Sequence, residues 1–312
     1  MTLVCMAKPP LSNVVSATGD NNRTEDGMVT IRPFPCKWVI QTIKQVQEVT
    51  IRSSAPGAMK HGPAKMHNHP QCLHSGLFHP DYSNNFYHDM ADIVVPLYNT
   101  ARVYNSHVHF LATDYNHKWI VKYRHILATL SIYPVIDFDT DDAVDCFPSM
   151  QVGIESHKDL GIIPALSKKG YTMMDFRDFL RSACSLKHVW ATPTSRTFSD
   201  RPRLVMLLQR HSRVLTNKAE VIVTANEVGF EVVVVGPKAV RDMAQFAEVV
   251  NSCDVMVGMH GVGLTNMVFL LHNGMLMQIV PWGEIKWPCW IALSSPHLTW
   301  GFGTSSTRQK SR

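Results

Sequence analysis

The residues best suited to chemistry gather where a short apolar run breaks into glycines. Val255-Met256-Val257-Gly258-Met259 reads as a buried strand, and His260-Gly261-Val262-Gly263-Leu264-Thr265-Asn266 follows as a turn that opens a helix. Glycine at 261 and 263 lets backbone approach a ligand closely. A helix start adds unpaired N–H groups and the positive end of a dipole, a combination suited to a diphosphate. His260 falls at the carboxyl end of the strand, where open α/β sheets bind ligands. The same letters also describe a tight strand-to-helix turn with a capping histidine, and the pattern supports both.

Arg210 and Arg213 follow directly on a second strand-like run at 203–208, with Asn217 a few residues beyond. Two guanidiniums on the sheet edge that carries His260 can clamp phosphate oxygens bidentately; taken singly, each also fits a solvated loop. Earlier in the chain, Asn84-Asn85-Phe86-Tyr87-His88-Asp89 opens a helix. There Asp89 or His88 could deprotonate a hydroxyl, while an asparagine N-cap followed by a first-turn carboxylate explains the same residues structurally.

Other chemistries find less support. The histidines at 61, 67, 69, 74 and 79, with Cys72, match no standard ligand spacing. Asp139-Thr140-Asp141 has the D-x-D form of a cation anchor but sits in an acidic run, 137–145, that also reads as a turn. Nucleophile-elbow, zincin and P-loop signatures are absent from the sequence. No metal or cofactor is therefore expected from the motifs. A net charge of +5 with 18% charged residues and no basic block argues against nucleic acid and suits a nucleotide diphosphate or an acidic polysaccharide. The seven cysteines form no C-x-x-C pair. Asn22-Arg23-Thr24 is a glycosylation acceptor triplet. No apolar stretch reaches the roughly 18 to 20 residues of a membrane span.

The elements that must position these residues alternate between strand and helix. The first set holds strands at 30–35 and 46–51, a loop at 52–80, a helix at 85–102 that Pro96 kinks or restarts, a strand at 108–112, a helix at 119–130 and a strand at 133–138. A helix at 175–183 and a linker at 190–202 follow. The second set has strands at 203–208, 229–235, 254–258 and 275–280, with helices at 217–228, 239–252 and from 260 to 271. Repeated βα units of this length predict a parallel sheet covered on both faces. The expected division is a tail at 1–26, one lobe at 27–195, a second at 196–290 and a tail at 291–312.

Several ordered segments are similar to glycosyltransferase family 61 of plants, the xylan-decorating branch above all. They are Ile31 to Lys37, Asn85 to Leu97, Tyr133-Pro134-Val135-Ile136-Asp137-Phe138, Tyr171-Thr172-Met173 and Gly229-Phe230-Glu231-Val232. To these are added Phe246 to Val255 running into His260 to Asn266, then Phe269-Leu270 and Gln278-Ile279-Val280-Pro281. The resemblance implies a GT-B-type fold, two Rossmann-like lobes with parallel sheets facing a cleft, and an inverting transfer. It implies a donor site around Arg210, Arg213, Asn217, His260, Gly261, Gly263, Leu264, Thr265 and Asn266, with His88 and Asp89 as candidate bases. The implied partners are a UDP-pentose, carrying arabinofuranose or xylose, and xylan. Alternatives are an N-glycan β-1,2-xylosyltransferase activity or a catalytically inactive homologue. The Golgi lumen is the implied location, with a type II anchor expected upstream and missing from this sequence.

Two departures stand out. Val262 replaces an alanine usual in the family. After about Trp287 the family pattern stops, and no element can be placed on Leu298 to Thr307. Read one base out of frame, those residues can encode Asp-Met-Gly-Leu-Arg-Tyr-Val-Glu-Tyr, which resembles the family's own terminal segment. A frameshift upstream of Leu298 is the expectation, and the coding nucleotide sequence decides it.

Overall fold

The computed structural model describes residues 85–113, 115–138, 140–141, 151, 153–192, 201–209, 214–236 and 243–280, together with the backbone of strands at 4–6, 28–31, 49–53, 64–66, 72–76, 144–147, 150–152 and 303–308. Asn22, Arg210, Arg213, Asp139 and most of the histidine-rich stretch lie outside the described residues. The fold is mixed α/β, and the chain divides into two compact units: residues 1–83 with 97–155, and residues 84–96 with 156–312.

The first unit holds β1 (Val4–Met6), β2 (Met28–Ile31), β3 (Val49–Ser53), β4 (Ala64–Met66), β5 (Cys72–Gly76), β6 (His109–Thr113), β7 (Ile136–Asp137), β8 (Val144–Phe147) and β9 (Met150–Val152). One sheet runs β2-β3-β1-β8-β4, and a parallel one runs β7-β6-β5-β9. Residues 52–80, expected as a loop, supply both β4 and β5. An inner parallel strand usually reads as a continuous apolar run. Cys72-Leu73-His74-Ser75-Gly76 does not, which hides it. The core of this unit is built from Val108, Phe110, Leu111 and Ala112 with Trp119, Tyr123, Ile126 and Leu130, all buried. The helix expected over 119–130 is two, His117–Lys122 and Arg124–Leu130, separated at Tyr123.

The helix expected over 85–102 changes register within itself. An α turn at Phe86–His88 gives way to a π-helical stretch at Asp89–Val94, and α geometry resumes at Val95–Ala101. Pro96 therefore sits directly after the π-helical stretch, where a wider turn gives room for the proline ring against the preceding carbonyls.

In the second unit β10 (Arg203–Leu207), β11 (Glu231–Val235), β12 (Val255–Met259), β13 (Met275–Val280) and β14 (Gly303–Arg308) form one all-parallel sheet, ordered β11-β10-β12-β13-β14. Numbered along the chain this is 2-1-3-4-5, a doubly wound order. The chain leaves β10 toward one edge and β12 toward the other, which makes their carboxyl ends the topological switch point where sheets of this order bind ligands. On one face Leu204, Met206, Val255, Val257 and Met259 cluster with Leu215 and receive Val221 and Ile222 from the helix Lys218–Glu227. The tail at 291–312, on which the pattern placed no element, contributes β14, paired in register with all of β13.

Two polar side chains staple this unit together. Asn251, 1% exposed, accepts from the His188 N–H at 3.0 Å and donates through Nδ2 to the carbonyls of His188 and Phe269 at 3.0 and 3.2 Å. Asp254 accepts from the Thr192 N–H at 2.6 Å and the Arg203 N–H at 2.8 Å. Removing Asn251 takes the side-chain partner from the His188 N–H and the buried Phe269 carbonyl, while the His188 carbonyl keeps Arg181, so Asn251→Ala is expected to cost about 2–3 kcal/mol. A lowered urea midpoint with an unchanged slope checks this.

Candidate functional site

The carboxyl ends of β10 and β12 define the candidate site. His260 extends the β12–β13 ladder by one residue, its N–H donating to the Ile279 carbonyl at 2.8 Å, and it is 3% exposed. Gly261 then takes φ 144° and ψ −171°, a conformation closed to residues with a Cβ. From there Val262–Phe269 forms a 3₁₀-helix, where the sequence suggested an α-helix beginning at 260. Leu264, Thr265 and Asn266 are buried, and Asn266 Nδ2 returns to the Gly263 carbonyl at 2.9 Å.

The three glycines serve different ends. At Gly258 a Cβ would lie 3.1 Å from a Leu264 methyl, so the strand glycine seats Leu264. Gly261 supplies the backbone turn. Among the described residues a Cβ at Gly263 would meet nothing within 4 Å, so they leave that space open.

Across the switch point, Gln209 Nε2 donates to the Met259 carbonyl at 3.4 Å. Sequence reasoning passed over Gln209; its position immediately before Arg210, two residues past β10, was the available signal. Asn217 precedes the helix Lys218–Glu227 but makes no side-chain cap, and its Nδ2 reaches Glu220 Oε2 at 3.3 Å.

His88 and Asp89 are counted with this same unit. Asn85 caps their turn, accepting from the Tyr87 N–H at 3.1 Å, and Phe86 meets Phe269 with ring centroids 6.1 Å apart. The candidate bases and the 3₁₀-helix are thereby brought together. Asp89 is 2% exposed. His88 is more accessible, and its Nδ1 lies 2.7 Å from Asp92 Oδ2. Burial raises the Asp92 carboxyl above its ordinary range, with His88 partly offsetting the effect.

Beneath the site lies a charged layer that sequence reasoning missed. The helix Met173–Ala183 carries Arg177 and Arg181 at i,i+4, both buried. Arg177 Nη2 donates to the Leu270 carbonyl, at the exit of the 3₁₀-helix. Burial, and then the neighbouring Arg181, push the Arg177 guanidinium down to about 9. Arg181 donates to the His188 carbonyl at 3.1 Å and to Asp178 Oδ1 at 2.5 Å. His272 Nε2 lies 2.8 Å from that same oxygen. Burial lowers the pKa of His272 despite Asp178. Burial alone would raise Asp178, but the His272 and Arg181 hydrogen bonds and charges outweigh it and lower it. The spacing of these arginines among Phe176 and Leu180 was the signal: apolar periodicity assigns them to a buried face.

The sequence profile of the glycosyltransferase 61 family matches residues 86–277. The chain is 36% identical to alpha-1,3-arabinosyltransferase XAT2 of Oryza sativa subsp. japonica over 290 residues, 92% of this chain and 48% of that protein. It is 39% identical to alpha-1,3-arabinosyltransferase XAT3 of the same plant over 264 residues, covering 84% and 44%. Identity to its beta-1,2-xylosyltransferase XAX1 is 37% over 276 residues, covering 88% and 48%. The chain thus spans about half the length of these curated relatives.

Two measurements test the geometry. Gly261→Ala should destabilise by about 1–3 kcal/mol because its φ excludes a Cβ, seen as a lowered denaturant midpoint. The His272 and Asp178 shifts are both downward, so the unfolded chain binds protons first and acid destabilises the fold. The His272 share is complete above about pH 6.5 and lost below it as pH falls through the lowered value; the Asp178 share persists until pH falls below about 4. The melting temperature should drop between pH 7.5 and 5.5, and His272→Gln should show a smaller drop.

Proposed function

Because the chain belongs to glycosyltransferase family 61, we propose that it transfers a pentose, arabinofuranose or xylose, from a UDP-sugar to xylan. The observation that carries this reading is the topological switch point between β10 and β12, with His260 and Gly261 at the carboxyl end of β12 and, among the described residues, open space at Gly263. It lies within the family-matched residues, and relatives bear the names of arabinosyl- and xylosyltransferases.

In the proposed mechanism the acceptor hydroxyl attacks the anomeric carbon on the face opposite UDP. The bond from that carbon to the phosphate oxygen breaks and configuration inverts. The hydroxyl proton passes to His88 or Asp89, and Arg210 and Arg213 take up the charge that develops on the departing diphosphate. Thr265 and Asn266 act by holding the 3₁₀-helix, Leu264 anchors it, and Asn217 borders the donor. We further propose a GT-B arrangement of two Rossmann-like lobes, with the donor held mainly by the second, and residence in the Golgi lumen. Among the described residues no helix is long and apolar enough to cross a membrane.

UDP release from UDP-arabinofuranose or UDP-xylose in the presence of xylo-oligosaccharide is the expected activity, and release with neither donor refutes the reading. Arg210→Ala and Arg213→Ala should each weaken UDP binding about tenfold or more in calorimetry; unchanged affinity removes the phosphate assignment. Gly263→Ala should leave the melting temperature in place while weakening UDP, since its Cβ would enter the open space beside the turn.

A further inference from the structure

Trp190 is 63% exposed, an unusual setting for the largest apolar side chain. Its backbone is fixed on both sides: the His272 N–H donates to the Val189 carbonyl and the Ala191 N–H to the His272 carbonyl, each at 2.9 Å. The indole rests against the buried His272 ring, centroids 5.0 Å apart. His272 is in turn held by Asp178 at 2.8 Å. The ring is therefore backed and anchored while much of its surface is left to solvent. Through His272 the indole is linked to Asp178, whose side chain is 59% exposed. Among the described residues its bonds fall on Oδ1, which leaves Oδ2 able to accept.

A fixed aromatic surface with a planar hydrogen-bonding group linked to it matches the two surfaces of a pyranose: a face of C–H bonds and a rim of hydroxyls. Xylopyranose suits it because it carries no hydroxymethyl arm to lift the ring off the indole. Asp178 is already compensated by Arg181 at 2.5 Å, so the patch favours a neutral sugar. A single indole with one carboxylate is also far smaller than the roughly 800 Å² that a stable protein partner covers on each side.

We propose that Trp190, together with Asp178, binds a pentopyranose unit of the acceptor chain. This rests on the reading of xylan as acceptor. The indole takes the sugar face, Asp178 Oδ2 accepts from a rim hydroxyl, and His272 positions both.

The test uses the full chain in native gels containing soluble arabinoxylan, with a mixed-linkage glucan as control, beside acceptor kinetics. Wild type should be retarded by arabinoxylan. Trp190→Ala should lose the retardation and, because Trp190 stands toward the amino ends of β12 and β13 while the proposed donor site lies at the carboxyl ends, raise the acceptor KM about tenfold or more for long xylan chains, with UDP affinity and melting temperature unchanged; Trp190→Phe should retain most of both. Equal retardation of wild type and Trp190→Ala overturns the proposal, as does a wild type that arabinoxylan does not retard. Trp190-dependent retardation in a protein that transfers no pentose would sustain this subsite and refute the transferase reading instead.

Discussion

The second unit depends on a single carboxylate. Asp254 stands one residue before β12, and both of its oxygens are taken by backbone N–H groups, those of Thr192 and Arg203. Its own N–H donates to the Arg203 carbonyl, and its carbonyl accepts from the Met275 N–H. One residue thus fixes the start of β10, the start of β13 and the incoming segment at 192. A parallel sheet has no hairpins to set its register. Here the register is set at the amino ends of the strands by Asp254, and the order at their carboxyl ends follows.

This changes how the signature run Asn251-Ser252-Cys253-Asp254 is understood. Asn251 and Asp254 spend their side chains on backbone groups 18 to 63 residues away in sequence, and Cys253 is buried with its thiol pushed up by desolvation. These residues build the platform on which His260 and Gly261 stand. Arg177 and Arg181 continue the brace from the other side, because the carbonyls at 188 and 270 need donors that the local chain does not supply.

The strands of the second unit were legible because inner parallel strands are apolar throughout: the run at 275–280 coincides with β13, and those at 203–208 and 254–258 lie within a residue of β10 and β12. β5 was not, since its inner position is imposed by neighbours on both sides against letters that read as loop. β14, at the edge of its sheet, escaped because its Gly-Thr-Ser-Ser-Thr-Arg has no apolar pattern. At the site, Gly261 was legible because only glycine tolerates its backbone. The Arg177–Asp178–Arg181–His272 layer was not, because it joins residues some ninety positions apart in sequence. Gln209 was missed because a lone glutamine carries no pattern.

The helix type at 262–269 follows from its anchorage. Its entrance is fixed by the bond from His260 to Ile279, and its exit by Asn251 and Arg177 at the carbonyls of Phe269 and Leu270. An α-helix of this length would cover about 12 Å, whereas a 3₁₀-helix covers about 16 Å. Tied at both ends, the segment behaves as a spacer of set length, and its pitch is what adjusts. Propensity cannot forecast that pitch, because the span belongs to the frame and not to the eight residues that fill it.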